Sequence, residues 1–324
     1  MTRNDYLMPV ADGRYALSPL HDFSAIVTMP PYAPFLDKTI AHAVVSGIRL
    51  NTMMPTSGSL DDLLGRLGEK TRAAGKTLYL DLKGRQLRVK TFGVPPFTEI
   101  ELTHAISVRT PVTAYFSNGD EHATVLRVDG NRLIMQEGPR RVVGPGESVN
   151  IPDASLEVDG TFTEKDLAYI DAAKRVGLHD YMLSFVETRS DVDALRQLDP
   201  CARIIAKIES SKGLSYARDN DDPSVRLMGA RGDLYIELPM PHDVIPAMSS
   251  IVRKDPTAIA ASRILSSLSK STEPSCADLS DVDSLLRMGY RTLMLGDEIC
   301  QKEESCLSAL NVLKAMKDSY RRDA

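Results

Sequence analysis

The sequence predicts an α/β protein: a closed (β/α)8 TIM barrel carrying a small all-β domain inserted after its third strand. Three observations lead there. Short apolar, β-rich runs alternate eight times with stretches of helical length and pattern. From about residue 89 to 158 that rhythm gives way to alternating polar and apolar positions, the mark of half-buried antiparallel strands. Removing this interval of roughly 70 residues leaves about 250, the usual size of such a barrel. The division expected is therefore residues 1–88 with 159–324 for the barrel and 89–158 for the inserted domain.

The predicted barrel strands are SAIVTM (24–29), GIRLN (47–51), TLYLDL (77–82), DYMLSF (180–185), RIIAKI (203–208), VRLMGA (225–230), TAIAAS (257–262) and RTLMLG (291–296). Their near-continuous apolar character is that of parallel strands covered on both faces. Helices between them carry start and stop signals. In SLDDLLGRLGEKTRAAG, Ser59 caps, acids fill the first turn and Gly75 ends the helix; in TEKDLAYIDAAKRVG, Thr163 and Gly177 do the same. The insertion has turn signals at Asn118-Gly119 and Asp129-Gly130.

Composition narrows the class. The chain has 324 residues, 43% hydrophobic, with a net charge of −5 and no Trp. Charges of both signs are interspersed without a basic block, so neither a nucleic-acid partner nor a membrane partner is expected. The stretch MTRNDYLMPVADGRY lacks the apolar region of a signal peptide, and a cytoplasmic setting is the expectation. Cys201, Cys276, Cys300 and Cys306 have neither paired nor regular spacing and are read as reduced thiols.

The active site of such a barrel lies where its strands end, at the C-terminal mouth. Three strands end in paired polar residues two apart, which share a face: Arg49-x-Asn51, Asp81-x-Lys83 and Lys207-x-Glu209. The sixth runs into GARGDLYIELP, where the amides of Ala230, Arg231 and Gly232 form an anion-binding turn and Asp233 adds a carboxylate. Any one of these reads equally well as an intramolecular ion pair; four at one mouth point to a site. Two carboxylates, Glu209 and Asp233, suit Mg²⁺ or Mn²⁺ completed by substrate oxygens. The surrounding cations suit a phosphate- or carboxylate-bearing substrate.

These segments resemble the pyruvate kinase family. The resemblance rests on GIRLN, LDLKGRQLRV (80–89), VNIPD with FTEKDLAYIDAA (149–173), LSFVETRSDVDALR (183–196), IIAKIESSKGL (204–214), MGARGDLYIELP (228–239) and PSCADLSDVDSLLRMG (274–289), in the family's order. It implies that Lys207 lies beside the transferred phosphoryl group and the enolate oxygen, that Glu209 and Asp233 hold the divalent metal, and that the amides around Arg231, Gly232 and Asp233 hold the substrate carboxylate. It further implies that Arg49 grips phosphate, that Lys83 and Arg88 join the substrate set, and that Ser262 stands where a threonine hydroxyl faces the methylene carbon. Asn51 and Asp81 match ligands of a monovalent cation, K⁺. Thr28 and Pro31 match a nucleotide-binding loop, with ATP or ADP as co-substrate.

The sequence also departs from the family. Met53 replaces a potassium-ligating hydroxyl and Met54 a histidine near the nucleotide; Pro30 replaces a glycine; SRILSSL and LGDEIC replace the motifs of strands seven and eight. The C-terminal regulatory domain of the family is expected to be absent. The enolate, carboxylate and metal half of the site is thus retained, and the nucleotide and potassium half eroded. The reading is a phosphotransferase moving a phosphoryl group between phosphoenolpyruvate, or a related enol phosphate, and a nucleotide or other acceptor. The alternatives are a metal-dependent lyase or aldolase working through a pyruvate enolate, and a non-catalytic binding protein. The expected partner is a small 2-oxo acid or its enol phosphate, with pairing into a homo-oligomer left open, and the inserted domain is expected to act as a lid.

Overall fold

A computed structural model of the chain describes residues 7–9, 15–17 and 19–322. Most of the stretch read for a signal peptide, and the two residues after Arg322, lie outside them. Eight parallel strands close a barrel in sequential order: β1 (Ser24–Thr28), β2 (Val45–Asn51), β3 (Thr77–Leu82), β4 (Asp180–Leu183), β5 (Arg203–Ile208), β6 (Val225–Ala230), β7 (Ile259–Ala261) and β8 (Thr292–Leu295). The described α-helices are, in chain order, α1 (Leu36–Ala41), α2 (Leu60–Ala73), α3 (Glu164–Arg175), α4 (Arg189–Leu198), α5 (Ser211–Asp219), α6 (Arg231–Glu237), α7 (Val244–Lys254), α8 (Cys276–Met288), α9 (Asp297–Cys300) and α10 (Glu303–Arg322). No described helix is long and apolar enough to cross a membrane. All four cysteines are free.

The two-residue period of a strand decides what faces where. Ile48 and Leu50, Leu80 and Leu82, and Ala206 and Ile208 pack outward against the helices. The intervening positions point inward. Low in the barrel these are Ile26, Met182, Ile205, Met228, Ile259 and Met294, with Tyr79 packed on them. One step toward the mouth the same inward register carries Thr28, Arg49, Asp81, Ser184 and Lys207, so an apolar plug supports a polar layer.

Strands four and seven are shorter than predicted. Phe185 (φ 49°) and Ser262 (φ 73°) leave the β region for left-handed backbone, so the runs to 185 and 262 turn away before completing. Both residues stand at the mouth. Gly84 (φ 51°) makes a similar turn after Lys83, where a Cβ would lie 2.7 Å from the Ser184 carbonyl.

The inserted segment forms a five-stranded antiparallel sheet in the order 149–150, 112–116, 121–129, 132–135, 99–101, plus a short ribbon of 106–107 with 157–158. Its own core includes Leu87, Val89, Phe116, Val125, Leu133 and Ile151. Both turn signals lie between paired strands: Asn118 (φ 61°) and Gly119 (φ 90°) in one hairpin, Gly130 (φ 60°) in the next.

Local capping ties a helix to the site. Thr163 Oγ1 accepts the Asp166 amide at 3.1 Å, and Asp166 Oδ2 accepts the Thr163 amide at 3.1 Å. The other oxygen of the buried Asp166 accepts the amide of Lys83 at 2.8 Å, anchoring the end of β3. Thr163→Ala is expected to cost about 1 kcal/mol, the usual value of a cap. Asp166→Ala should cost about 2–3 kcal/mol, because it also strands a buried amide. Urea denaturation checks the order, and equal losses would contradict it.

Candidate active site

At the C-terminal mouth lies a cavity of about 560 Å³. Barrel residues lining it include Arg49, Asn51, Lys83, Lys207, Glu209, Ala230, Gly232, Asp233 and Ser262; the inserted domain contributes Ser117, Asn118, Gly146, Glu147 and Ser148 as a cover. With Met294 and Asp297 from the end of β8, six of the strands converge on one chamber, with the β domain over it.

Asp81 lies beneath the cavity, fully buried, surrounded by cations. Its Oδ2 accepts from Lys83 Nζ at 2.8 Å and from Arg49 through Nε (3.0 Å) and Nη2; its Oδ1 accepts from Lys207 Nζ at 3.2 Å. Burial opposes its charge, but Arg49, Lys207 and Lys83 hold the carboxyl well below the ordinary carboxylate range. Lys207 also donates to Ser184 Oγ at 2.7 Å and pairs with Glu209 at 3.2 Å. For Lys207, burial disfavours the charge and Asp81 with Glu209 more than restores it, so its pKa is raised. Lys83 goes the other way. Burial, opposed by Asp81 and reinforced by Arg88, Lys207 and Arg49, lowers it from 10.5 to about 7.

Glu209 is buried and accepts the Phe185 amide at 2.8 Å, which is what the left-handed turn there provides. Its pKa is raised by burial, against Lys207, with the negative charge of Asp233 adding to the rise. Asp233 accepts from Asn150 Nδ2 at 3.1 Å and Gln86 Nε2 at 3.3 Å. The two carboxylates line one cavity and the charge of Asp233 bears on Glu209, an all-oxygen pair whose repulsion a divalent cation would relieve. Among the described residues no cluster of three or more potential ligands occurs, so an ion held by this pair would need its remaining ligands from outside those side chains. A monovalent cation does not fit as well. Both Asp81 oxygens already face cations, and Asn51 directs its amide nitrogen to Asp297 at 3.2 Å.

The other predicted residues divide. Ala230 precedes α6 without a side-chain cap, so no capping side chain occupies the first-turn amides. The Arg231 side chain turns away: it grips Asp281 on α8 at 2.6 Å and the Ser262 carbonyl at 3.0 Å, holding the strained loop after β7 in place. Arg88 lines the cavity and donates to Gln86 Oε1 and the Gly146 carbonyl. Thr28 and Pro31 do not reach the cavity. The Thr28 hydroxyl is buried, donating to the Leu295 carbonyl at 2.8 Å and accepting from Arg49, and the Pro31 carbonyl accepts from Arg66 at 3.0 Å.

Sequence and fold both match known proteins. The family model described as "Pyruvate kinase, barrel domain" matches residues 101–304. The chain belongs to the pyruvate kinase family. The pyruvate kinase of Thermoplasma acidophilum is 34% identical over 158 residues, covering 46% of this chain and 29% of that protein. The pyruvate kinase of Borreliella burgdorferi is 24% identical over 290 residues, covering 81% and 60%. The crystal structure of a pyruvate kinase from Cryptosporidium parvum superposes with a TM-score of 0.74 at 21% identity, covering 93% of this chain and 69% of that one, a likeness of fold. The chain thus spans at most 60% of the length of these two curated pyruvate kinases.

Sequence reasoning missed several members of the site. Ser184 and Phe185 lie in a quoted segment, yet nothing local distinguishes them from strand residues. Asn150, within VNIPD, donates to both Asp233 and Glu237 (2.9 Å) and so joins the cover to the barrel. Asp297 lies in LGDEIC, and its only signal was the departure itself.

Glu237 gives a pH test. Burial, with Asp233, Glu187 and Glu209 adding charge against the Asn150 hydrogen bond, raises it from 4.5 to about 8. Between those values the folded chain keeps a proton that the unfolded chain has lost, so Glu237 lowers stability as pH rises through that window. Glu237→Gln should therefore gain stability relative to wild type from about pH 4.5 to about 8, measured by urea denaturation with EDTA present. A difference independent of pH would refute it.

Proposed function

We propose that this chain is a metal-dependent phosphotransferase acting on phosphoenolpyruvate or a closely related enol phosphate, with a nucleotide or another oxygen nucleophile as acceptor. The observation that carries it is the convergence of Lys207, Arg49, Glu209, Asp233 and the first-turn amides of α6 on one covered cavity. Glu209 and Asp233 are the residues to hold Mg²⁺ or Mn²⁺. Bound there, such an ion supplies Lewis-acid stabilisation of negative charge on the enol and carboxylate oxygens.

The chain's own groups do the rest. The amides of Arg231 and Gly232 receive the substrate carboxylate. Lys207, kept charged by Asp81 and Glu209, stands where the phosphoryl group and the enol oxygen carry their charge. As the bond from phosphorus to the enol oxygen breaks, a bond to the acceptor oxygen forms; the enolate then takes a proton at its methylene carbon from water beside Ser262. Arg88 adds positive charge at the cavity wall and Lys83, lowered to about 7, adds it from beneath when protonated, and the β domain excludes bulk water, which strengthens each of these interactions.

A second reading has an observation of its own. The residues matched to the nucleotide loop, Thr28 and Pro31, do not face the cavity. Enolate chemistry on a 2-oxo acid without a nucleotide, as in a lyase or aldolase, uses only the groups that do. Solvent exchange of pyruvate methyl protons with Mg²⁺ and no nucleotide would favour it.

The test of the first reading is Mg²⁺-dependent phosphoryl exchange between phosphoenolpyruvate and nucleoside diphosphates. Lys207→Met should lower it by about 10²–10³-fold or more, the loss seen when a transition-state charge partner is removed. Its circular dichroism and melting are followed alongside, because Lys207 also satisfies two buried carboxylates. Absence of exchange with every diphosphate would refute the reading.

A further inference from the structure

Arg49 is the proposed phosphate ligand, yet its guanidinium is nearly fully engaged. Nε and Nη2 donate to Asp81, and Nη1 donates to Thr28 Oγ1 at 2.9 Å and to Asp297 Oδ2 at 3.1 Å. Of its five N–H groups, one on Nη2 has no protein acceptor. Asp81 and Thr28 are fully buried and hold the guanidinium from below. Asp297 differs: its side chain is 34% exposed and lines the cavity, so it covers the side of Arg49 from which a ligand arrives.

Asp297 is held there by a contact from β2, which only β1 separates from β8. It opens α9 directly after β8, and Asn51, the residue two beyond Arg49 on β2, donates to both of its oxygens at 3.2 Å. A carboxylate so placed presents to Arg49 what a phosphoryl group would present, an oxygen bearing negative charge. Burial opposes its ionisation, but Arg49 and the Asn51 hydrogen bond hold the carboxyl below its ordinary range, so it stays charged at neutral pH.

We propose that Asp297 is a specificity-determining residue, a built-in competitor for the phosphoryl subsite on Arg49 that weakens binding of phosphorylated acids relative to unphosphorylated 2-oxo acids. The inference rests on reading Arg49 as the phosphate ligand of the proposed function. An incoming phosphoryl group must displace Asp297 from Nη1 or accept the single remaining Nη2 hydrogen beside a like charge. A ligand with only a carboxylate and an adjacent oxygen, bound at Glu209, Asp233 and α6, meets no such contest.

The test is calorimetric titration of the full chain, wild type, Asp297→Asn and Asp297→Ala, with oxalate plus Mg²⁺, with phosphoenolpyruvate plus Mg²⁺, and with inorganic phosphate. Asp297→Asn keeps the shape and an acceptor for Asn51, so it decides the matter even where Asp297→Ala melts early. Phosphoenolpyruvate and phosphate should bind about tenfold more tightly in the variants, the scale of one charge-assisted contact, with oxalate unchanged. Unchanged or weaker phosphate and phosphoenolpyruvate binding overturns the inference. So does an equal gain for oxalate, which would mean a general electrostatic effect. If no form binds oxalate with Mg²⁺, the metal and carboxylate assignment fails, while the inorganic phosphate titration still decides the role of Asp297.

Discussion

The mouth of this barrel is organised around one buried carboxylate. Asp81 has no exposure to solvent and accepts hydrogen bonds from Arg49, Lys83 and Lys207. A lone ion there would be prohibitively unfavourable, and a single partner would leave much of the desolvation cost unmet. Three cations from three strands meet that cost and are themselves fixed by it. The same crowding sorts their protonation. Burial works against the charge of both lysines; for Lys207 Asp81 and Glu209 outweigh it and the pKa is raised, whereas for Lys83 burial with Arg88, Lys207 and Arg49 outweighs Asp81 and the pKa falls to about 7.

A second network connects the cover to the barrel. Asn150 bridges Asp233 and Glu237, Gln86 links Asp233 to Arg88, and Arg88 reaches the Gly146 carbonyl. Asp233 is thus oriented by residues of the inserted domain as well as by α6. Any hinge opening of that domain would break these hydrogen bonds and free the Asp233 carboxylate. The left-handed residues Phe185 and Ser262 fit the same picture. Each is held by a specific contact, Phe185 by Glu209 and Ser262 by the Arg231 side chain, and each sits where the cavity wall is formed.

Much of this was legible from short-range pattern. Apolar runs marked the strands, residues two apart marked the inward face, and Ser59, Thr163, Gly75 and Gly177 marked helix ends; all of these depend only on neighbours in the chain. The pairs Arg49-x-Asn51, Asp81-x-Lys83 and Lys207-x-Glu209 fell at the mouth for that reason. The ends of β4 and β7 were misjudged, because a left-handed φ at Phe185 or Ser262 is imposed by tertiary hydrogen bonds and leaves no propensity signal in a non-glycine residue.

The sequence by itself determined which side chains face the barrel axis and in what layer, since strand period and helix caps are local physics. Only the closed barrel decided which of those side chains meet. Asp297 lies 248 residues from Arg49, and nothing in either segment encodes the contact; it exists because closure sets β8 beside β1 and β1 beside β2. Likewise the inserted domain brings Asn150 to Asp233 by folding over the mouth. Such contacts follow from the register of a complete ring of strands, a property no window of the chain contains.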